Sequence, residues 1–166
     1  MSQITRGKDL RHIGLTAEDL EERVIVGIGW IEGEMLPPHT YCRKRDVDRV
    51  LQYLEGRRFR KARDSLHKPD IKRRFRPVPK LVELVGAMAH GCVMVTAHYL
   101  IESDALVYIN PALILTSRRE NYPPYWTGRI FIQQMLSREP TRRCHVYDGN
   151  FIFYDAARKE RAGYHP

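Results

Sequence analysis

The chain has 166 residues, of which 43% are hydrophobic and 29% are charged, and its 28 Lys and Arg residues outnumber its 20 Asp and Glu residues. This composition excludes a collagen-like or wholly disordered chain. No run of about 18 apolar residues occurs, so the sequence predicts neither a transmembrane helix nor a secretory signal. We expect a cytoplasmic protein with a single domain over residues 16–166, preceded by an N-terminal arm over residues 1–15.

The first half of the chain predicts a helix, a strand and a basic helix. A threonine followed by acidic residues is typical of a helix start and predicts a short helix over 16–23. The β-branched run at 24–31, interrupted by two glycines, predicts a buried strand. Apolar residues at helical spacing predict a second helix from Asp46 to about Ser65. The stretch 68–79 lacks an apolar period and has prolines near its end, so it predicts a basic loop.

The second half of the chain predicts two helices and two hairpins. An apolar stripe at helical spacing predicts a helix over 81–91, and two β-rich apolar runs, 92–101 and 105–109, predict a hairpin. Another helix is expected over 127–137, followed by a second hairpin around the Asp-Gly turn at 148–149. Together these elements predict an α+β fold with a mostly antiparallel sheet, in which the two hairpins are packed by three to four helices.

The positive charge of the chain is concentrated in residues 43–80, which form a basic helix and loop in this prediction. These 38 residues contain 15 Lys and Arg against five acidic residues, a net charge of +10, and the rest of the chain carries −2. Most of the basic residues are arginine, whose planar guanidinium suits phosphate and base edges. Phe59 and Phe75 lie within the arginine runs. This pattern favours nucleic acid over an acidic membrane surface; the alternative is that both phenylalanines anchor the core beneath a solvated rim of arginines.

A second group of arginines and aromatic residues lies at 118–126. This proline-stiffened loop holds two arginines, two tyrosines and a tryptophan. Such aromatics stack on unpaired bases, but they are equally typical of protein interfaces, and a loop of this kind can also fold back over the core. The candidate nucleic-acid-binding residues are Arg43, Lys44, Arg45, Arg49, Arg57, Arg58, Phe59, Arg60, Lys61, Arg63, Arg73, Arg74, Phe75, Arg76, Arg118 and Arg119.

Acid–base catalysis by histidine is an alternative function. A metal-independent nuclease or phosphodiesterase needs a base, an acid and a cation that holds the phosphate. His39, His98 and His145, with Tyr41 or Tyr147 and an arginine, could supply these groups. The seven histidines and three cysteines show no metal-ligand spacing, and no common nucleotide-binding or hydrolase motif occurs. We therefore expect neither a metal nor another cofactor.

Three functional hypotheses follow from these patterns. The leading one is a non-enzymatic nucleic-acid-binding protein that favours RNA or single strands over duplex DNA. The second is the small metal-independent nuclease or phosphodiesterase just described. The third is an inhibitor or assembly subunit whose arginine-rich face docks on an acidic protein or a nucleoprotein complex. None of the three has a membrane as its partner.

Overall fold

The computed structural model describes residues 2–35 and 41–157. Within them, seven strands form one sheet and two short strands form a separate antiparallel pair. The strands are β1 (Ile4–Arg6), β2 (Val24–Ile28), β3 (Trp30–Ile31), β4 (Glu34–Met35), β5 (Arg60–Ala62), β6 (Leu81–Ala87), β7 (Leu106–Leu115), β8 (Arg142–Tyr147) and β9 (Asn150–Asp155). The α-helices are α1 (Ala17–Glu21), α2 (Lys44–Leu54), α3 (Lys68–Arg74), α4 (Met94–Glu102) and α5 (Pro124–Arg138).

The seven-stranded sheet is mostly parallel. Its strand order is β1-β8-β9-β7-β6-β2-β5, and four of the six neighbouring pairs in the described residues run parallel. The two antiparallel pairs both involve β9, which lies between β7 and β8. The expected α+β content is therefore confirmed, whereas the expectation of a mostly antiparallel sheet is wrong. Helices α2, α3 and α4 each connect two parallel strands, and such a connection needs a crossover rather than a tight turn.

In the second half of the chain, one expected helix is a strand and one expected strand is a helix. Of the residues expected to form a helix over 81–91, those at 81–87 form β6, which is buried along its whole length. A parallel strand covered on both faces is a continuous apolar run, and periodicity does not separate such a run from a buried helix. Residues 92–101, expected to be a strand, form a short π-helical turn and most of α4, because packing against the sheet outweighs β-propensity. The first expected hairpin, over 92–109, is therefore wrong.

The basic segment also folds differently from its prediction. The expected second helix is α2, which ends at Leu54 rather than near Ser65, and strand β5 follows it. The loop expected over 68–79 contains α3. A proline in the first turn suits a helix start, and the Asp70 carboxylate accepts a hydrogen bond from the His67 backbone N–H at 3.0 Å. Capping thus forms a helix where no apolar period indicated one.

Local sequence signals are confirmed at three places. Helix α1 opens with a capping box, in which Thr16 Oγ1 accepts from the Asp19 N–H at 3.1 Å and the Asp19 carboxylate accepts from the Thr16 N–H at 2.9 Å. The helix expected over 127–137 is α5, which begins one turn earlier. Strands β8 and β9 form the second expected hairpin, with Val146 opposite Phe151.

Helices cover both faces of the sheet. On one face, α3, α4 and α5 pack over a core that includes Val82 and Leu84 of β6. On the other face, α2 packs over Val85, and residues 10–20 cover Leu81. Successive residues of β6 therefore point into opposite cores, as the pleat of a strand requires.

Strands β2 and β6 approach each other closely at their carboxyl ends. Gly86 has a φ of +111°, and a Cβ atom there would overlap the Ile28 carbonyl oxygen. Gly29 has a φ of +92°, and a Cβ atom there would lie 3.2 Å from the Ala87 carbonyl oxygen. Only glycine adopts both the backbone angle and the close contact without strain, which accounts for Gly29 at the end of the expected strand and for Gly86 opposite it.

The segment expected to be an N-terminal arm takes part in the fold. Strand β1 pairs in parallel with β8, with Ile4 opposite Cys144. Leu10, Ile13 and Leu15 are buried in the core on the α1 side of the sheet. These contacts hold the start of the described chain against the sheet.

Candidate nucleic-acid interface

A group of seven exposed basic side chains lies along one edge of the sheet. Strand β5 is the edge strand, since β2 is its single neighbour in the seven-stranded sheet, and α3 follows it in the chain. The group, called the basic edge below, consists of Arg57, Arg58, Arg60, Lys61, Arg73, Arg74 and Arg76. Two of its residues precede β5, two lie on the strand, and three lie on or just after α3. The fold thus gathers side chains from two elements that are separated in the sequence.

Hydrogen bonds between side chain and backbone join the two elements of the basic edge. Arg60 Nη1 donates to the Arg74 carbonyl oxygen at 2.7 Å, and Arg74 Nη1 donates to the Lys61 carbonyl oxygen at 3.1 Å. These reciprocal bonds tie the end of α3 to the outer side of β5. The guanidinium groups therefore lie at defined places on the surface.

The phenylalanines of the basic segment lie beneath or beside the charges. Phe75 is buried, with 2% of its surface exposed, and packs in the core beside Ile71 of α3. Phe59 is half-buried and lies against Trp30, with 5.2 Å between the ring centroids. The placement of Phe75 agrees with the alternative in which it anchors the core, and it leaves the arginines as the exposed groups.

Two arginines of the basic edge lie over aromatic rings. Arg57 Cζ is 4.4 Å from the centroid of the Tyr53 ring, and Arg57 Nε donates to the Tyr53 carbonyl oxygen at 2.8 Å. Arg60 Cζ is 4.7 Å from the centroid of the Phe75 ring. A cation over an aromatic face is attracted by the ring quadrupole, so each contact restrains an otherwise flexible side chain. Both arginines remain exposed.

Charge pairing separates the basic edge from the other candidate arginines. Residues 57–76 contain ten basic and two acidic residues. Arg73 is the member of the basic edge that pairs with a carboxylate, that of Asp70 at 2.8 Å, and in the described residues the other six members form no salt bridge. Arg63, which lies outside the basic edge, is 3.8 Å from Asp64. The backbone N–H of His67, followed by the charge of Arg73, holds the pKa of Asp70 below its ordinary value. Most of the positive charge here is therefore not neutralised by the protein.

The basic residues of α2 have carboxylate partners instead. Lys44 pairs with Asp48 at 2.8 Å and Arg49 pairs with Asp46 at 3.2 Å. Arg45 also lies 4.0 Å from Asp46. Arg43 is half-buried at the start of the helix. Arg45 and Arg49 line a cavity of about 330 Å³ against the segment that precedes α5. This group is separate from the basic edge and nearer to neutral.

The arginine and aromatic loop lies at the start of α5. Arg118 and Arg119 are exposed, and the Arg118 N–H donates to the Tyr41 carbonyl oxygen at 2.6 Å. Tyr125 and Trp126 expose 70% and 41% of their surfaces. Helix α5 packs on β7 and β8, whereas β5 lies at the far end of the strand order. The structure therefore does not join this loop to the basic edge.

The candidate catalytic histidines do not converge in the described residues. His98 lies on α4, on one face of the sheet, where its Nδ1 contacts a buried arginine. His145 lies on β8, and its Nδ1 and Nε2 are 2.7 Å from Thr5 Oγ1 and 2.6 Å from the Gly7 carbonyl oxygen. Its ring faces the N-terminal segment, on the opposite face from α4. His39 lies outside the described residues.

His98 and Arg142 form a buried pair that no sequence signal indicated. Arg142 Nη1 lies 2.8 Å from His98 Nδ1, and Arg142 exposes 1% of its surface. Burial, followed by the charges of Arg142 and Arg138, lowers the pKa of His98 to about 4. An efficient general base at neutral pH has a pKa near 7. The protonation equilibrium of His98 therefore suits a hydrogen-bonding role better than proton transfer.

A buried carboxylate supports one of the arginines of the basic edge. Glu83 of β6 is fully buried, and its Oε1 accepts from Tyr53 Oη at 2.6 Å and from Arg23 Nε at 2.8 Å. Burial, together with the charge of Glu83, raises the pKa of Tyr53. Since Arg57 lies over the Tyr53 ring, the buried carboxylate positions the ring that holds it. In the sequence, the one feature that could have indicated this buried carboxylate is that Glu83 is the single acidic residue in an otherwise apolar run.

The described residues hold no group of three or more His, Cys, Asp or Glu side chains that could bind a metal ion. Cys42 and Cys144 are buried, and burial raises the pKa of the Cys42 thiol and raises that of Cys144 to about 12. These two thiols are therefore poor nucleophiles. Among the helices of residues 2–35 and 41–157, none is both long and apolar enough to cross a membrane.

The chain was also compared with family models, with curated proteins and with solved structures, and none of the three comparisons found a match.

Proposed function

We propose that the protein binds nucleic acid through the basic edge and favours RNA or single strands over duplex DNA. The observation that carries the proposal is the set of six exposed basic side chains of the basic edge, on and beside β5 and α3, that form no salt bridge in the described residues. Residues 57–76 have a net charge of +8, which equals the net charge of the whole chain. Phosphate groups supply the matching negative charge, and arginine donates to them in a bidentate geometry.

The preference for unpaired bases rests on Arg57 and Arg60. Each guanidinium lies over a ring of the protein and remains exposed. Unpaired bases stack on guanidinium planes as they do on aromatic rings, so a base can extend the stack that Tyr53 or Phe75 begins. Bases inside a duplex offer no such face. Single-stranded regions therefore gain stacking in addition to phosphate contacts.

Binding without cleavage is the form of the proposal that the described residues support. His98 and His145 lie on opposite faces of the sheet, and His98 is buried against Arg142. These two candidate histidines of the nuclease hypothesis are therefore not adjacent to each other. An acidic protein partner is a distinct outcome of the experiment that follows.

The test compares two triple variants that remove the same charge at opposite edges of the sheet. Arg57→Gln, Arg58→Gln and Arg76→Gln remove three members of the basic edge. Arg6→Gln, Lys8→Gln and Arg129→Gln form the matched control, since these residues are exposed and lie on or near β1 and α5. Labelled single-stranded RNA, double-stranded RNA and duplex DNA are titrated with each protein at several salt concentrations, and the probes are then run on a denaturing gel.

The unmodified protein should bind single-stranded RNA most tightly and leave the probe intact. For single strands, log K falls against log salt with a slope of about −0.7 per phosphate neutralised, so loss of three contacts should change the slope by about 2. The control variant should keep the slope of the unmodified protein. Equal losses in both variants, or a slope near zero, would refute the proposal. Cleaved probe would support the nuclease, and no binding to any probe would point to an acidic protein.

A further inference from the structure

A cavity of about 320 Å³ lies between α4 and α5, away from the basic edge. Its polar lining consists of His90, His98, Gln134, Ser137 and Arg138, and the Ser137 hydroxyl donates to the Gln134 carbonyl oxygen at 3.2 Å. Met94 and Val95 complete the wall, and no carboxylate lines the cavity. Pockets that bind small molecules combine such an apolar wall with a few polar groups.

A buried cation lies directly behind this cavity. Arg142 is almost completely buried, and in the described residues His98 is its hydrogen-bond partner, while its Nε atom has none. Asp155, Glu102 and Glu139 favour the charged guanidinium, but burial, which is the largest effect, lowers its pKa. A buried charge without a paired carboxylate is costly to the fold. An anion nearby would offset part of that cost.

The hydrogen bond from Arg142 sets the tautomer of His98. A guanidinium has donors and no acceptor, so Nδ1 of His98 must accept and the ring proton must lie on Nε2. In the described residues no hydrogen bond is formed by Nε2, which is not fully buried, and His98 lines the cavity. The Nε2–H group is therefore a donor that the cavity can reach. The positive charge behind the ring polarises this donor and strengthens it.

We propose that this cavity binds a phosphate group, either free phosphate or a phosphate monoester. His98 Nε2–H, the Arg138 guanidinium and the Gln134 amide supply the donors, and Arg142 acts through His98. Two guanidinium charges with no carboxylate in the lining suit a dianion better than a single carboxylate. Phosphate monoesters carry close to two negative charges at neutral pH. The group can come from a small molecule or from the terminal phosphate of a nucleic-acid strand.

The experiment follows the imidazole nitrogens of His98 by NMR while inorganic phosphate is added at constant ionic strength. Chloride alone is the control titration. Arg138→Gln removes a donor at the exposed mouth of the cavity, and Arg129→Gln, on the same helix but beside Trp126, is the matched control. Loss of one charge-assisted hydrogen bond should weaken phosphate binding by about tenfold or more in Arg138→Gln, with little change in Arg129→Gln. The His98 Nε2 resonance should shift with phosphate and not with chloride.

Further titrations identify the source of the phosphate. Adenosine 5′-monophosphate represents small monoesters, and oligonucleotides with a 5′-phosphate or a 5′-hydroxyl represent strand ends. Binding of the mononucleotide supports a small-molecule ligand, and binding of the 5′-phosphorylated strand alone supports a strand end. Acetate that shifts His98 as strongly as phosphate would overturn the choice of a dianion. No shift with any phosphate compound, or equal weakening in both arginine variants, would overturn the site, whatever the result for the basic edge.

Discussion

Replacing His98 with asparagine tests the buried pair with Arg142 through the pH dependence of stability. The amide oxygen of asparagine can accept the hydrogen bond that Nδ1 accepts, but asparagine does not titrate. In the folded protein the pKa of His98 falls from 6.5 to about 4, through burial and through the charges of Arg142 and Arg138. The unfolded chain therefore takes up a proton at a higher pH than the folded protein does. As pH falls through this window the histidine destabilises the fold, and above the window it has no effect.

Because of this difference in pKa, protonation of His98 lowers the free energy of unfolding by about 3 kcal/mol over the whole window. About 2 kcal/mol of this loss falls between about pH 7 and pH 5. Chemical denaturation at these two pH values measures the free energy of unfolding. The unmodified protein should lose about 2 kcal/mol more than His98→Asn over the same interval. His90, whose pKa is also lowered by burial, is present in both proteins and cancels in the comparison. Equal losses in the two proteins would mean that His98 is hydrated and titrates normally, which would refute the reasoning.

Two further substitutions test the backbone approach at the sheet centre and the buried ion pair. Gly86→Ala should lower the free energy of unfolding by roughly 3 kcal/mol or more, since its Cβ would overlap the Ile28 carbonyl oxygen, whereas Gly149→Ala, at a positive φ in open space, should cost about 1 kcal/mol. Chemical denaturation of both variants checks this, and similar losses would contradict it. Glu83→Gln should cost roughly 3 kcal/mol by the same measurement, because it leaves the Arg23 guanidinium without its charged partner. A loss below about 1 kcal/mol would show that the pair behaves as a solvated one.

The parts of the fold that were predicted correctly are those decided by neighbouring residues. The capping box at Thr16 and Asp19 needs only four consecutive residues to form. The Asp-Gly turn at 148–149 sets the register of β8 and β9 in the same way. In both cases, the chemistry of a few side chains selects one backbone conformation, so the surrounding protein is not needed to predict it.

The parallel sheet was missed because it depends on burial that periodicity does not encode. The run 81–87 is apolar at nearly every position, so it fits a buried helix and a doubly covered strand equally well. The run 92–101 contains β-branched residues that favour a strand, but it crosses over between β6 and β7 as a helix. A strand at 81–87 followed by a helix at 92–101 predicts a crossover connection, and hence a parallel pairing of β6 with β7.

The candidate site was partly predictable from the sequence. The concentration of arginine at 57–76 is a property of composition, and its position on a sheet edge leaves that charge exposed. The pairing of basic residues with carboxylates on α2 could also be predicted. Lys44 and Asp48 are four residues apart, a spacing that brings side chains together on a helix surface. The contact between His98 and Arg142 could not be predicted, because 44 residues separate them in the sequence and no local pattern brings them together.

The two edges of the sheet show how much of the charge on β5 the fold itself requires. Edge strands expose unpaired backbone groups, and charged side chains protect them from pairing with another chain. Strand β1, at the opposite edge, is three residues long and carries one basic residue, Arg6. Strand β5 has the same length and carries Arg60 and Lys61, which provide this protection. The arginines before β5 and on α3 lie outside the strand and add mutual repulsion that edge protection does not require. The proposed ligand, which brings negative charge, would offset this repulsion, whereas the sheet gains nothing from it.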